Sequence, residues 1–288
     1  MAPTLTAVSD LHVGYAANRA FVERLRPASG ADWLIVAGDI GERASDIVET
    51  LTLLRSRYAK VIWAPGNHEL WTSPRDSGEP AAELRGQERY ASLVARCRDI
   101  DVVTPEDEYP VWTGPGGPAI VAPLFLLYDY TFHPPGCTTK EEGLAYAHQT
   151  GVVCTDEFLL HPDPYPSREA WCQARVAETE QRLAACDPAT PLVLVNHYAL
   201  VRAPMNVLRF PEFAQWCGTV LTADWHTRFR TLAMVYGHLH IPRTTYYDGV
   251  RFEEVSLGYP REWQPRTRQP DAHLPRQILP VPASGPLE

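Results

Sequence analysis

The chain has 288 residues, of which 45% are hydrophobic, and it can therefore bury one sizeable core, so we expect a single domain with at most one elaborated insertion. Its formal net charge of −9 argues against general nucleic-acid binding, because a phosphate backbone is bound by clustered cations. No apolar stretch is long enough to span a bilayer, and residues 1–4 lack the basic-then-apolar order of an export signal, so we expect a cytoplasmic protein without membrane association.

Units of strand, polar loop and helix recur within residues 1–70. Predicted strands at 4–9, 33–37 and 61–64 alternate with predicted helices at 18–26 and 45–57, the second of which begins at a capping Ser45. This alternation is typical of a parallel sheet covered by helices. Polar side chains that follow such strands lie at the carboxyl edge of the sheet, where α/β proteins bind ligands.

The remaining chain continues with mixed elements. We predict helices at 82–98 and 167–185, short strands near Val102, Val111 and 119–122, and longer strands at 192–195 and 232–236. Residues 243–256 form a predicted β-hairpin with a type I′ turn at Asp248-Gly249. The domain is expected to cover residues 1–264, and the Pro-rich residues 265–288 to form an extended surface tail.

Residues 123–166 lack a clear period and are rich in aromatic residues and proline. We interpret them as an insertion that covers the site, since a long irregular segment in a compact domain is usually functional or disordered and the aromatic content argues against disorder. Tyr130, Phe132 and His133 are candidates for a wall that selects the substrate. The alternative is that these side chains form a satellite core beneath a long connection.

Polar clusters follow five of the predicted strands, and they supply Asp10 and His12, Asp39, Asn67 and His68, His197, and His238 with His240. Any one histidine is more simply explained as a packed core or loop residue, and Asp39 alone as a helix cap. The joint pattern is different, because two carboxylates, one amide oxygen and four imidazoles at one edge can hold two divalent ions that share a carboxylate. Nitrogen and oxygen ligands without thiolate favour Mn, Fe or Zn.

These motifs, in this order from Asp10 to His240, resemble those of the calcineurin-like metallophosphoesterases. The resemblance implies an α/β fold in which a central ββ sandwich is flanked by helices. It also implies that Asp10, His12 and His240 bind one metal ion, that Asn67, His197 and His238 bind the other, and that Asp39 bridges the two. By the same resemblance His68 does not bind metal but acts beside the leaving oxygen. A hydroxide between two metal ions would attack phosphorus in line, and no covalent intermediate is needed.

One branch of this family, the protein phosphatases, has an acid and an arginine after the bridging aspartate that support the histidine and hold phosphate. Glu42 and Arg43 occupy these positions here, with Glu in place of the Asp of that branch. The alternative for this pair is a solvated helix start.

A narrower resemblance covers residues 216–219, 236–243 and 258–263. There the chain is similar to an actinobacterial group that includes 4′-phosphopantetheinyl hydrolase, which acts on acyl carrier proteins. The specific expectation is therefore a phosphodiesterase that releases 4′-phosphopantetheine from a holo acyl carrier protein. The alternatives are a small-molecule phosphomonoesterase, a nucleotide phosphodiesterase, or a metal-free scaffold of the same fold.

The charge distribution suggests where an acidic carrier protein would bind. Residues 201–288 carry ten arginines and no lysine against eight acidic residues, so they have a net charge of +2 although the whole chain is acidic. Arg202 and Arg209 follow the His197 loop, and we expect them at the rim of the cleft. The alternative is that they are solvated or brace the loop internally.

Overall fold

Two β-sheets packed face to face form the centre of the molecule in the computed structural model, which describes residues 1–72, 83–267 and 273–282. The strands are β1 (Leu5–Val8), β2 (Trp33–Val36), β3 (Lys60–Trp63), β4 (Val111–Trp112), β5 (Ala119–Pro123), β6 (Leu192–Val195), β7 (Thr231–Tyr236), β8 (Arg243–Tyr247), β9 (Val250–Glu254) and β10 (Arg276–Leu279). One sheet has the order β10-β1-β2-β3, and the other has the order β4-β5-β6-β7-β9-β8.

Strand alternation explains why the sheets pack in this way. Ile35 and Ile62 of the first sheet pack between the sheets against Val193 and Val235 of the second. The neighbouring residues on each strand, such as Trp63, face outward into the core beneath the helices. Because both faces of the central strands are buried, their sequences are almost continuously apolar.

The helices are α1 (Ala16–Arg24), α2 (Ala44–Arg55), α3 (Asn67–Leu70), α4 (Gly86–Asp99), α5 (Lys140–Thr150), α6 (Asp156–Leu159), α7 (Arg168–Ala184), α8 (Trp225–Arg228) and α9 (Pro260–Trp263). Short 3₁₀ turns at Ala203–Val207, Pro211–Trp216 and Val220–Thr222 connect β6 to α8. No helix within the described ranges is both long and apolar enough to cross a membrane.

The ββ sandwich flanked by helices that the resemblance implied is confirmed, whereas the strand–helix alternation alone suggested one parallel sheet. The helix predicted over 167–185 is α7, which is one residue shorter at each end, and Ser167 is its N-cap, since the Ser167 side chain accepts a hydrogen bond from the backbone N–H of Ala170. The type I′ turn agrees with positive φ angles of 51° at Asp248 and 78° at Gly249.

Some boundaries and elements were predicted wrongly. Arg43, not Ser45, occupies the N-cap position of α2, and the predicted helix start at Ala82 lies outside the described residues. Residues 123–166 contain α5, which begins with a capping box between Thr139 and Glu142. This T-x-x-E pattern was visible in the sequence, but the aromatic content of the segment obscured it.

The C-terminal region also differs from the predicted surface tail. Strand β10 pairs antiparallel with β1 and buries Ile278 and Leu279 against the inner face of the sandwich. Two consecutive apolar residues in a Pro-rich segment were too short a pattern to predict a strand.

Candidate metal centre

The predicted ligands follow strands of both sheets, and the two sheets meet at this end of the sandwich. Ser9, directly after β1, forms a parallel bridge with Ser256, which lies two residues after the end of β9. The N–H of Ser9 donates to the carbonyl of Val255, and the N–H of Leu257 donates to the carbonyl of Ser9, at 3.0 and 2.9 Å. The two groups of loops are therefore joined by backbone hydrogen bonds.

The backbone is strained where the candidate ligands lie. Five of the seven have a left-handed φ between 39° and 70°, and these are Asp10, His12, Asp39, His238 and His240. Residues other than glycine seldom adopt this conformation, and each instance costs of order 1–3 kcal/mol. Such strain persists only where the surroundings enforce it, as they do at a functional site.

Asp10, His12 and His240 form the first donor group, in which one ligand atom of each lies within 4.8 Å of the others. The Nε2 atoms of His12 and His240 are 3.2 Å apart, and His240 Nε2 is 2.9 Å from Asp10 Oδ1. Ser9 and Ser256 donate hydroxyl protons to the other oxygen of Asp10, at 2.5 and 2.8 Å. The Asp10 carboxylate is thereby fixed with one oxygen facing the imidazoles.

The second donor group contains Asp39, His197 and His238, again within 4.8 Å of one another. His197 Nε2 is 3.4 Å from Asp39 Oδ2, 3.2 Å from His238 Nδ1 and 3.2 Å from the side-chain oxygen of Asn67. Asp39 also belongs to a third group, with His12 and His68. Its carboxylate therefore lies between the two donor groups.

Outer hydrogen bonds orient the donors toward one another. His240 Nδ1 is 2.6 Å from Glu262, and His197 Nδ1 is 2.9 Å from the carbonyl of Ala37, so each Nδ1–H has an acceptor and each Nε2 is left to bind an ion. The Asn67 amide donates to Asp156 at 2.9 Å, which turns its oxygen toward His197. This arrangement fits a pair of divalent metal ions, because nitrogens only 3.2 Å apart need a shared cation or proton between them.

Burial and nearby charges raise the pKa of two of the four imidazoles and lower the pKa of the other two. Burial lowers the pKa of all four, but at His197 the partners Asp39, Asp10 and the Ala37 carbonyl, and at His240 the carboxylates of Asp10 and Glu262, together outweigh burial and raise the pKa to about 10. At the other two no carboxylate outweighs burial, and the pKa falls to about 3 for both His12 and His238. Without metal, the two close nitrogens of each imidazole pair thus share one proton. A bound cation would take the place of that proton.

The two aspartates remain ionised in this environment. Burial raises the pKa of Asp10 and Asp39, but the surrounding imidazoles, with His240 foremost at Asp10 and His197 foremost at Asp39, together lower it by more. Both carboxylates therefore stay negative and are available as ligands.

Glu69 holds the loops after β2 and β3 together, a role that the sequence analysis did not assign. Its buried carboxylate accepts hydrogen bonds from the backbone N–H groups of Asp39, Ile40 and Gly66, at 2.9, 2.6 and 2.8 Å. Its position directly after His68 was visible, but nothing in the sequence showed that two of its partners lie 30 and 29 residues earlier.

His68 lies at the edge of the centre, between Trp71 and the first donor group. Its ring centroid is 3.7 Å from that of Trp71 and 4.7 Å from that of His12. Its Nε2 is 3.8 Å from Asp39 Oδ2 and 3.5 Å from the hydroxyl of Tyr259. Burial lowers the pKa of His68, but Asp39 is the largest influence that raises it, and the net shift is upward.

Glu42 and Arg43, the residues predicted to support His68 and to hold phosphate, both lie close to the centre. Glu42 Oε1 is 3.7 Å from His68 Nδ1, so the acid is beside the imidazole as the protein-phosphatase branch would place it. Arg43 is exposed and lines a cavity together with Glu42 and His12.

A cleft of about 1000 Å³ opens over the centre, with Asp39, Asn67, His68, His238 and His240 in its wall. Tyr130 and Phe132 are buried and do not line it, so the selective wall expected from these two is not supported by their positions. Tyr130 donates to Glu157 at 2.7 Å, and Phe132 packs in the main core. His133 does not line the cleft either. The segment 123–166, called the covering segment below, reaches the cleft through residues 152–156 instead.

The two arginines expected at the rim behave differently. Arg202 donates to the carbonyl of His133 at 2.9 Å and to Asn206 at 3.3 Å, so it braces the loop. Arg209 is exposed, lines the cleft and packs over the ring of Phe210. The sequence analysis did not single out Arg261 and Arg266, which also line the cleft.

Comparison with known proteins agrees with this geometry. The sequence model of the family described as calcineurin-like phosphoesterase matches residues 3–242. The acyl-carrier-protein phosphodiesterase PptH of Mycobacterium tuberculosis is 57% identical over 284 residues, which cover 99% of this chain and 86% of that protein. The crystal structure of the phosphopantetheinyl hydrolase PptH from Mycobacterium tuberculosis is similar with a TM-score of 0.94 and 56% identity, over 99% of both chains.

Glu69→Gln should destabilise the protein. The amide retains one acceptor oxygen but brings an N–H₂ group toward a backbone N–H that then has no acceptor, which costs about 1–3 kcal/mol. We expect a lower midpoint in urea denaturation at a fixed metal concentration. Glu88→Gln, an exposed position on α4, is the matched control. Equal midpoints for the two variants would show that Glu69 does not hold the loops.

Proposed function

The chain belongs to the calcineurin-like phosphoesterase family, and we propose that it is a phosphodiesterase that releases 4′-phosphopantetheine from a holo acyl carrier protein. The family consists of dinuclear metal enzymes, so the chain is a metal-dependent phosphoric ester hydrolase. The observation that carries the choice of substrate is the 57% identity, over 99% of the chain, to a protein named acyl-carrier-protein phosphodiesterase.

The proposed ligands divide between two metal sites with one shared residue. Asp10, His12 and His240 hold one ion, Asn67, His197 and His238 hold the other, and Asp39 contributes to both. The grouping of donor atoms supports this division, because Asp39 is the carboxylate that lies between the groups. The donors are nitrogen and oxygen atoms without thiolate, which favours Mn, Fe or Zn.

When bound, two divalent ions lower the pKa of water and neutralise charge on the phosphoryl oxygens. Side chains must supply the proton transfer that the reaction also requires. Hydrolysis forms a bond from a water oxygen to phosphorus and breaks the bond from phosphorus to the seryl oxygen of the carrier protein. The seryl oxygen leaves as an alkoxide, which needs a proton.

His68 is the proposed proton donor to that oxygen. It lines the cleft, and its Nε2 faces Asp39 and the Tyr259 hydroxyl instead of belonging to either close imidazole pair. Glu42, at 3.7 Å from Nδ1, would hold the ring in the orientation that directs Nε2 into the cleft.

Asp39→Asn should remove a shared ligand without adding backbone strain, because Asn tolerates the left-handed φ of 55° at this position. We expect turnover to fall by about 10²-fold or more and the bound metal, measured by plasma mass spectrometry, to fall below two ions per chain. Asp101→Asn is the matched control, since Asp101 is exposed and also has a left-handed φ, of 57°. Two bound ions with normal turnover in Asp39→Asn would refute the shared-ligand role.

His68→Ala should retain both metal ions but lose turnover in a way that depends on the leaving group. An alkyl ester needs protonation of its leaving oxygen and should slow by roughly 10²–10⁴-fold, whereas a 4-nitrophenyl ester should slow much less. The measurement is kcat for both esters together with metal content. An equal loss for the two esters would contradict the proton-donor role.

The substrate itself is tested by mass spectrometry of a holo acyl carrier protein incubated with the metal-loaded protein. Loss of the 4′-phosphopantetheinyl mass, and recovery of the apo carrier protein, is the expected result. A carrier protein that stays fully modified while a small phosphodiester is hydrolysed would leave the enzyme class intact and reject this substrate.

Docking of the carrier protein is expected to depend on charge at the rim of the cleft. Arg209 and Arg261 are exposed there, and Arg261 packs over the ring of Tyr259. Arg209→Glu with Arg261→Glu should slow hydrolysis of the holo carrier protein by about tenfold or more at low salt, and less at high salt, because rim charges act on association.

The control for this pair is Arg24→Glu with Arg26→Glu, which changes the net charge equally at two exposed residues that do not line the cleft. Hydrolysis of a small diester should change little in either variant. If both pairs slow the carrier-protein reaction equally, the rim arginines are not a docking surface.

A further inference from the structure

A second cavity adjoins the metal centre, and we call it the side groove. It has a volume of about 430 Å³ and is formed by the loop after β1, with Gly14 and Tyr15, by the loop after β2, with Glu42 and Arg43, and by Tyr259. Small-molecule sites have volumes of roughly 300–1,000 Å³, so the groove and the cleft are each large enough to bind an organic group.

The side groove and the cleft share one wall and reach the same centre. Tyr259 lines both cavities, and its ring stacks on that of His12 with 4.4 Å between centroids. His12 opens into the groove, whereas Asp39 and His68 open into the cleft. A phosphorus atom held at the centre therefore has room for substituents in two directions.

A phosphodiester has two organic substituents on phosphorus and needs room for both, whereas a phosphomonoester has only one. In an in-line displacement the leaving oxygen lies opposite the attacking oxygen, and the second ester oxygen points sideways. His68, the proposed donor to the leaving oxygen, lines the cleft, so the leaving arm lies there. The arm that stays on phosphorus is then directed toward the neighbouring cavity.

The chemistry of the groove suits an uncharged arm. Its charged lining residues are two arginines and two acids, and one such pair, Arg19 and Asp46, is joined at 2.7 Å. The rings of Tyr15 and Tyr259 lie edge to face with centroids 5.6 Å apart, and Tyr15 is half exposed at the mouth. The tyrosine rings provide both apolar contact and hydrogen bonding. The charges of the other lining residues balance, so the groove attracts neither an anionic nor a cationic ligand.

We propose that the side groove binds the ester arm that stays on phosphorus, and that this arm is an uncharged chain bearing amide or hydroxyl groups. The inference rests on the proposed phosphodiesterase function and extends it, since it assigns the two arms of the substrate to different cavities. In a holo carrier protein the retained arm is pantetheine, and the leaving arm is the carrier protein over the wide cleft.

Gly14→Trp tests the groove because it fills the cavity without disturbing the backbone. A Cβ atom at Gly14 would meet no atom within 4 Å, and the φ of Gly14 lies outside the left-handed region that favours glycine. The expected result is at least a tenfold fall in the ratio of kcat/KM for bis(4-nitrophenyl) phosphate to kcat/KM for 4-nitrophenyl phosphate. Gly30→Trp is the matched control, because Gly30 also has open space around its Cβ position and does not line the groove.

Tyr15→Ala provides a second variant that removes a wall instead of filling the space. It should weaken binding of 4′-phosphopantetheine, the product that keeps the retained arm, as measured by titration calorimetry with metal-loaded protein. Inorganic phosphate should bind as it does to the unchanged protein. Tyr246→Ala, at an exposed tyrosine on β8, is the control.

The outcomes separate this inference from the proposed substrate. If the ratio for Gly14→Trp falls but no holo carrier protein is hydrolysed, the groove assignment stands and the carrier-protein substrate is rejected. If the carrier protein is hydrolysed while Gly14→Trp and Gly30→Trp keep the same ratio, the groove does not bind the retained arm. If the unchanged protein hydrolyses no diester, both proposals are overturned.

Discussion

The Glu69 carboxylate is the interaction on which the geometry of the centre depends. It is buried, and it accepts backbone N–H groups from the loop that carries Asp39 and from the loop that carries Asn67 and His68. A buried carboxylate without such partners would cost several kcal/mol, so the two loops and Glu69 constrain one another. Gly66 is required at this contact, because a Cβ there would lie 2.1 Å from Asp39 Oδ1. The left-handed conformation of Asp39 persists within this arrangement.

The positions of the proposed ligands could be predicted from the sequence because each of them lies shortly after a strand. Apolar runs such as 33–37 end in polar residues, and this local pattern indicated the seven proposed ligands, which lie close together in the structure. What orients them could not be predicted. Glu262 acts on His240 and Asp156 acts on Asn67 from segments remote in sequence, and only the folded chain brings these partners into contact.

The covering segment shows a different limit of sequence analysis. Tyr130 and Phe132 were candidates for the cleft because they lie in an aromatic, irregular stretch, yet both are buried, and Tyr130 is enclosed by Glu157 and Arg168. In a segment without a helical or strand period, the sequence does not indicate which side chains face inward. The segment contributes to the centre through Asp156 instead, whose carboxylate accepts hydrogen bonds from both Asn67 and Trp71.

Tyr259 lines both cavities and therefore separates the two arms of a diester in the proposed mode of binding. It belongs to the turn before α9, where its backbone N–H and the imidazole of His240 both contact Glu262 Oε2. The turn that orients a proposed metal ligand is therefore also the turn that places the ring between the two cavities. A change that moved this ring would alter the position of His240 as well. The division of the cavities and the geometry of the centre are thus coupled through the Glu262 carboxylate, and in the proposed reaction the turn that separates the two arms is also the turn that orients a metal ligand.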